Sequence, residues 1–244
     1  MDSGLRDKAV VVTGGAGGIG QAIIAGFLGE GARVVSIDRH TVAPLIVAGR
    51  QALSMTANLV SQDDCETALA AALQELGTID VLVVAAAIQR AEAVTELTSA
   101  NVEAVFRTNL FAAAYLLRAF ADQAGPGASA ILIGSTATRS VQHSEFAYRA
   151  AKSGLKALAE SAALELATSG TRVNIVTPGA TASGLALALP AAQREKVRMA
   201  VPLGREARPD EIAQAVLFVA SQLASYMTGA EIVVDGGLSL RPIR

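Results

Sequence analysis

Short apolar runs rich in β-branched residues alternate along the chain with longer stretches that carry apolar residues at helical spacing. The runs are Ala9–Thr13, Arg33–Ile37, Ala52–Thr56, Asp80–Ala85, Ala130–Gly134, Arg172–Val176 and Glu231–Val234. Most are nearly uninterrupted, the pattern of strands buried on both faces of a parallel sheet. The stretches between them predict helices over Ile19–Glu30, Gln62–Leu76, Asn101–Ala124, Phe146–Ala167 and Pro209–Leu223. Pro209 followed by Asp210 and Glu211 marks a helix start, because proline fits the first turn and acids favour the positive end of the helix dipole. Right-handed strand–helix–strand crossovers then predict an α/β fold: a single doubly wound parallel sheet of about seven strands, flanked by helices on both faces.

No linker or repeat divides the pattern, so residues 1–244 are read as one domain. Two stretches resist assignment. His40 to Gln51 contains Pro44 and Gly49 and is too short and broken for a crossover helix. Ala180 to Leu203 is rich in Ala and Leu and interrupted by Gly184 and Pro190. It reads either as a flap over a substrate, near 180–203, or as a helical insertion packed on the body.

Composition narrows the classes. With 52% hydrophobic and 17% charged residues over 244 positions, the chain is core-rich rather than disordered. A net charge of −2 with scattered basic residues argues against a nucleic-acid partner. The longest apolar runs, such as Val81 to Ile88, fall short of the roughly 20 residues of a membrane span. Cys65 is the single cysteine and cannot close an internal disulfide, which fits a reducing compartment. Met1 to Lys8 has no apolar stretch before its first charges, so no secretory signal is expected and a cytoplasmic protein is. His40 and His143 are the only histidines; with one distant cysteine they do not make a usual zinc site, and no metal is expected.

Directly after the first strand comes Thr13-Gly14-Gly15-Ala16-Gly17-Gly18-Ile19-Gly20, and a helical pattern begins at once. Glycine permits the tight turn and lets phosphates approach the backbone amides at a helix N-terminus. The run fits G-x-G-x-x-G through Gly15, Gly17 and Gly20, and equally G-x-x-x-G-x-G through Gly14, Gly18 and Gly20. Asp38 ends the second strand, where a carboxylate can accept from both hydroxyls of an adenosine ribose and repel a 2′-phosphate. Arg39 follows and could stack on adenine or tolerate that phosphate. With no basic residue in the glycine loop, NAD(H) is the expected cofactor and NADP the alternative.

Tyr148 and Lys152 stand four residues apart, on one face of a helix, after a strand that leads into Ser135. Oxidising an alcohol needs a base for the hydroxyl proton while hydride leaves. A free tyrosine, with a pKa of about 10, is too weak an acid to serve near neutrality. A lysine cation at ~4 Å and an effective dielectric of ~20 supplies on the order of 4 kcal/mol, enough to bring tyrosinate within reach of neutral pH. Ser135 would hold the substrate oxygen, and a buried asparagine could complete a proton path.

These motifs together resemble the short-chain dehydrogenase/reductase family along nearly the whole chain. Thr13–Gly20 is similar to that family's T-G-x-x-x-G-x-G loop, which selects the register Gly14, Gly18 and Gly20, with Ile19 inside it. Tyr148 and Lys152 match Y-x-x-x-K, and Ser135 precedes Tyr148 by thirteen positions. Asn109, in Arg107-Thr108-Asn109-Leu110, matches the asparagine of an Asn-Ser-Tyr-Lys tetrad. Pro178-Gly179, after Arg172-Val173-Asn174, resembles the turn that carries the nicotinamide. Ser183 stands where the family commonly places a carboxamide- or pyrophosphate-binding threonine, and Thr181 beside it joins the implied cofactor site. Tyr226 through Gly237 resembles the last strand and its exit. The family's N-N-A-G is here Val84-Ala85-Ala86-Ala87, which removes side-chain hydrogen bonds and adds a methyl at Ala87. Asn58-Leu59 replaces a frequent Asp-Val.

The resemblance implies a Rossmann-fold, NAD(P)-dependent oxidoreductase, a secondary alcohol or ketone as substrate, and a homotetramer built through the helices around the tetrad and the last strand. Tyr148 is then the acid/base, Lys152 its electrostatic partner and ribose anchor, Ser135 the substrate-oxygen ligand and Asn109 the relay organiser. Ala85, Ala86, Ala87, Asn58 and Leu59 join the cofactor site. Arg90, Gln142, His143 and Leu185 are candidate substrate contacts; Arg90 could recognise a carboxylate or phosphate. The rival readings are an NADPH-dependent ketoreductase of the same fold and a dinucleotide-sensing regulator without catalysis.

Overall fold

The computed structural model describes residues 2–139, 143–184 and 191–240. Seven parallel strands form one sheet: β1 (Ala9–Thr13), β2 (Arg33–Asp38), β5 (Leu53–Thr56), β6 (Val81–Val84), β7 (Ser129–Ile133), β8 (Arg172–Pro178) and β9 (Glu231–Val234). Their order is β5-β2-β1-β6-β7-β8-β9. The strands alternate between two cores. Val11, Leu82 and Leu132 point to one face, while Val12, Val83 and Ile131 point to the other. The first core is closed by α2 (Gln62–Leu76), α4 (Ala112–Ala121) and α5 (Phe146–Leu166), through residues such as Leu69, Leu116 and Leu155. The second is closed by α1 (Gly18–Gly29) and a helix over Pro209–Ala220, through Ile23, Phe27, Ile212 and Val216. Burying each such aliphatic side chain stabilises the fold by ~1.5–3 kcal/mol. The doubly wound reading is therefore correct.

One expected element differs in kind, and one unassigned stretch gains a structure. The helix expected over Asn101–Ala124 begins earlier, as α3 (Ser99–Phe106), with Thr98 accepting from Asn101 N as the N-cap. It then widens into a π-turn over Arg107–Phe111 before α4 resumes. Between β2 and β5 there is no crossover helix but a hairpin of β3 (Ile46–Val47) and β4 (Arg50–Gln51). Its two turn residues, Ala48 and Gly49, both have positive φ (51° and 76°), as a type I′ turn requires.

The stretch from Ala180 contains α6 (Ala191–Ala200), anchored by ion pairing of Arg194 with Glu206 and a short parallel bridge between Thr181 and Ala207. The last helix, α7 (Pro209–Ala220), stops three residues short of the expected Leu223, because Ser221 turns extended and opens a single 3-10 turn. Proline is at its first position as expected, and the Glu211 carboxylate accepts from Arg208 N at 2.8 Å. Among the described residues, no helix is long and apolar enough to cross a membrane, and no cluster of side chains could hold a metal ion.

Candidate active site

The chain reverses direction across the sheet between β1 and β6, the topological switch point where open α/β sheets bind ligands outside the carboxyl ends of their strands. A cavity of about 540 Å³ opens there. One end is the loop from β1 into α1. Gly14 has φ +74°, and a Cβ on it would lie 2.6 Å from Ala86 N; a Cβ on Gly20 would lie 2.2 Å from Gly14 O. Only hydrogen fits at either place, so the helix N-terminus stays bare toward the cavity, a shape made for phosphate. Asp38 closes this end. Its carboxylate accepts from Ala16 N and His40 N, both at 3.0 Å, which fixes it at the tip of β2. Arg39 and His40 line the cavity beside it, with Arg39 Nε donating to His40 Nε2 at 3.0 Å.

The other end is chemical. α5 carries Tyr148 and Lys152 into the same cavity, both buried. Lys152 Nζ lies 5.9 Å from the Tyr148 ring centre and donates to Ile133 O at 2.7 Å. Burial without a paired charge pushes the lysine down to about 8. Burial also raises the Tyr148 phenol, opposed by its hydrogen bond with Ser135 and reinforced by the Glu145 charge. Loss of water around the phenol is the largest of these influences, and the Lys152 charge is not among them. Ser135 caps the short turn after β7, accepting from Ala137 N at 3.2 Å, and its side chain is hydrogen-bonded with Tyr148.

Asn109 sits in the π-turn and is buried. Its side chain clamps one peptide: Nδ2 donates to Ile88 O at 2.7 Å, and Ile88 N donates to Oδ1 at 2.8 Å. The exit of β6 is tied from the opposite side by Thr13 Oγ1, which accepts from Ala85 N (3.2 Å) and Ala86 N (3.4 Å). These bonds hold the Val84–Ala87 segment that lacks its usual asparagines.

Of the residues read from the sequence, Gly14, Gly18, Ile19, Gly20, Asp38, Arg39, Asn58, Leu59, Ala85, Ala86, Ala87, Arg90, Tyr148, Lys152 and Ser183 all line this one cavity. Pro178, Gly179 and Thr181 do not; Thr181 is buried and donates to Gly179 O at 3.1 Å, shaping the turn after β8. Ser135 and Asn109 are not among the lining residues but are bonded to two that are, Ser135 to Tyr148 and Asn109 to Ile88. His143 is exposed in the turn before α5 and does not line the cavity. Gln142 and Leu185 lie outside the described residues. Sequence reasoning passed over Ala104 and Thr108, which also line it. They are four residues apart on one helix face, and Thr108 precedes Asn109, so the asparagine motif carried the signal. Ile37 and Ile133 were missed as well, although the carboxyl ends of parallel strands at a switch point are where such residues are found.

Residues 14–239 match a family model described as enoyl-(acyl carrier protein) reductase. The chain is 36% identical to cis-4-hydroxycyclohexanecarboxylate dehydrogenase of Sinomonas cyclohexanicum, over 97% of this chain and 98% of that one. It is 34% identical to 2,3-dihydro-2,3-dihydroxybenzoate dehydrogenase of Escherichia coli K12, over 96% and 97%. The chain belongs to the short-chain dehydrogenase/reductase family. Among solved members of this fold, ligand-free aldohexose dehydrogenase of Thermoplasma acidophilum superposes with a TM-score of 0.89 at 28% identity, covering 100% of this chain and 99% of that one. Dehydrogenases of this family use a nicotinamide dinucleotide. The bare glycine cradle, the Asp38 carboxylate and the buried lysine fit that group, from phosphate to ribose.

Proposed function

We propose that this short-chain dehydrogenase/reductase transfers hydride between NAD(H) and a secondary alcohol or its ketone. The observation that carries the reading is that Tyr148 and Lys152 share one cavity with the glycine cradle and Asp38. Alcohol oxidation removes hydride from the carbinol carbon and a proton from its oxygen. Tyr148 Oη takes that proton and returns it in the reverse direction. Ser135, bonded to Tyr148, orients the substrate oxygen, and Lys152 holds a cation beside the phenol. Asn109 fixes the wall through Ile88 and organises the proton path from there. The bound dinucleotide supplies the hydride acceptor or donor. Asp38 favours NAD over NADP because its carboxylate repels a 2′-phosphate.

Both relatives named above are, by their names, dehydrogenases of ring compounds, so cyclic secondary alcohols are the first substrates to try. We further propose a homotetramer. Leu164 on α5 and Tyr226 ahead of β9 are 80% and 103% exposed in the single chain, apolar surface of the kind subunit contacts cover. A cytoplasmic setting suits the lone Cys65, whose thiol burial pushes up to about 12 and keeps unreactive.

The test follows nicotinamide absorbance with NAD⁺ and NADP⁺ in parallel, over acyclic and cyclic secondary alcohols that include 4-hydroxycyclohexanecarboxylate and its methyl ester. Turnover is expected with NAD⁺. Tyr148→Phe should lower kcat at least ~10²-fold, the usual contribution of a positioned acid/base, while dinucleotide binding measured by calorimetry stays within a few-fold. Retained turnover in that variant would remove Tyr148 from the chemistry.

A further inference from the structure

The proposed hydride transfer leaves one charged group of the cavity without a task. Arg90 follows β6 by a short loop, is exposed, and lines the cavity together with Tyr148 and Ile88. The backbone that carries it is fixed two residues earlier by the Asn109 clamp on Ile88. Among the described residues no group pairs with its guanidinium. Several other arginines are matched with carboxylates: Arg118 with Glu66, Arg139 with Glu231, Arg205 with Glu211.

Glu92, two residues on, and Glu145, bridged to it, already accept from other side chains, Glu145 through one of its two oxygens. Glu92 accepts from Asn101 Nδ2 and Thr98 Oγ1, and Glu145 accepts from Gln89 Nε2 at 3.0 Å. Residues 140–142 and 185–190 contain no acid at all. The other cations of the cavity have partners too, Lys152 on Ile133 O and Arg39 on His40. A guanidinium stays charged at any working pH and presents a planar fork of donors that fits a carboxylate with two parallel bonds. Phosphate already has its place on the glycine loop, so the anion Arg90 awaits is not the dinucleotide's.

We propose that the substrate is a hydroxy acid, its carboxylate held by Arg90 while its carbinol meets Tyr148. This rests on the hydride-transfer reading for the second contact but not for the first. The lining that the two groups share, which includes Ile88, Ala104 and Thr108, suits a compact, mainly apolar carbon frame.

The experiment compares each acid of the panel with its methyl ester, using 4-hydroxycyclohexanecarboxylate and 3-hydroxybutyrate, in the wild type, Arg90→Ala and Arg90→Lys. The wild type should prefer an acid to its ester in kcat/KM. Arg90→Ala should raise KM for that acid roughly 10- to 100-fold, the worth of a lost charge-assisted pair, with kcat and the ester's KM little changed. Arg90→Lys, which keeps the charge and loses the fork, should fall between. Alongside, calorimetry measures the non-reacting cyclohexanecarboxylate binding to protein saturated with NADH. Binding that Arg90→Ala abolishes supports the anion site even if no alcohol is turned over, a result that would instead overturn the hydride-transfer reading. Equal turnover of acid and ester, unchanged by Arg90→Ala, would overturn the anion site and leave that reading intact. No cyclohexanecarboxylate binding and no acid turnover would likewise reject the hydroxy acid.

Discussion

Tyr148 lies between opposing influences that a spacing motif does not record. Its neighbours in space are Lys152 one turn on and Ser135 behind it, but also Glu145 at the N-cap of its own helix, a half-buried carboxylate with one oxygen, Oε2, that has no partner. Burial raises Glu145 above its ordinary 4.5, against the pull of Gln89 and Arg149. The sign follows. A carboxyl whose folded pKa is raised contributes fully below its unfolded pKa, and that stability is lost as pH rises through the folded value. Glu145→Gln should therefore raise the thermal midpoint at neutral pH and show no gain below about pH 4.5, as followed by scanning calorimetry. The same variant removes a negative charge that holds Tyr148 protonated. The pH profile of alcohol oxidation should thus shift toward lower pH, and an unmoved profile would detach Glu145 from the tyrosine.

At the scale of elements, the departures from regularity are where the site is made. The π-turn over Arg107–Phe111 inserts an extra residue into a long helix, a feature common at functional sites, and here it coincides with Asn109 and its clamp on Ile88. Helical periodicity predicts the helix but is nearly blind to one inserted residue. The β3–β4 hairpin was invisible for a different reason: two-residue strands carry almost no period. Its turn holds Ala48 in the left-handed region at φ 51°, which costs an alanine ~1–2 kcal/mol. Ala48→Gly recovers that cost less glycine's greater loss of freedom, a net gain of up to ~1 kcal/mol. The thermal midpoint should then rise by roughly 2–4 °C, with activity unchanged, as circular dichroism and the turnover assay would report. Arg172, read only as part of a motif, proves to be a helix terminator. It donates to Val219 O, Ala220 O and Ser221 O at the end of α7.

For the whole molecule, the order β5-β2-β1-β6-β7-β8-β9 brings the ends of β1, β2, β6 and β7 to one edge, so residues from Gly14 to Lys152 meet in one cavity. Assembly is the prediction that belongs to this scale. Leu164→Glu, on an exposed face, should leave far-ultraviolet dichroism intact and lower the mass found by light scattering; an unchanged mass would take α5 out of the interface. The strands were legible because a two-sided sheet imposes continuous apolar runs, and Ala9–Thr13 and Glu231–Val234 match to the residue. Gly14, Asp38, Tyr148 and Lys152 were legible because a tight turn, a strand end and one helical turn are local geometries, written in neighbouring positions. What the sequence did not contain is the water left around each group. Burial, a sum over residues distant in the chain, moves Tyr148 and Lys152 toward their neutral forms. Packing of distant segments brings Thr13 and Asn109 to a strand exit stripped of its asparagines and leaves Arg90 exposed and, among the described residues, unpaired. Only the tertiary structure decides those, because desolvation and pairing depend on which segments meet.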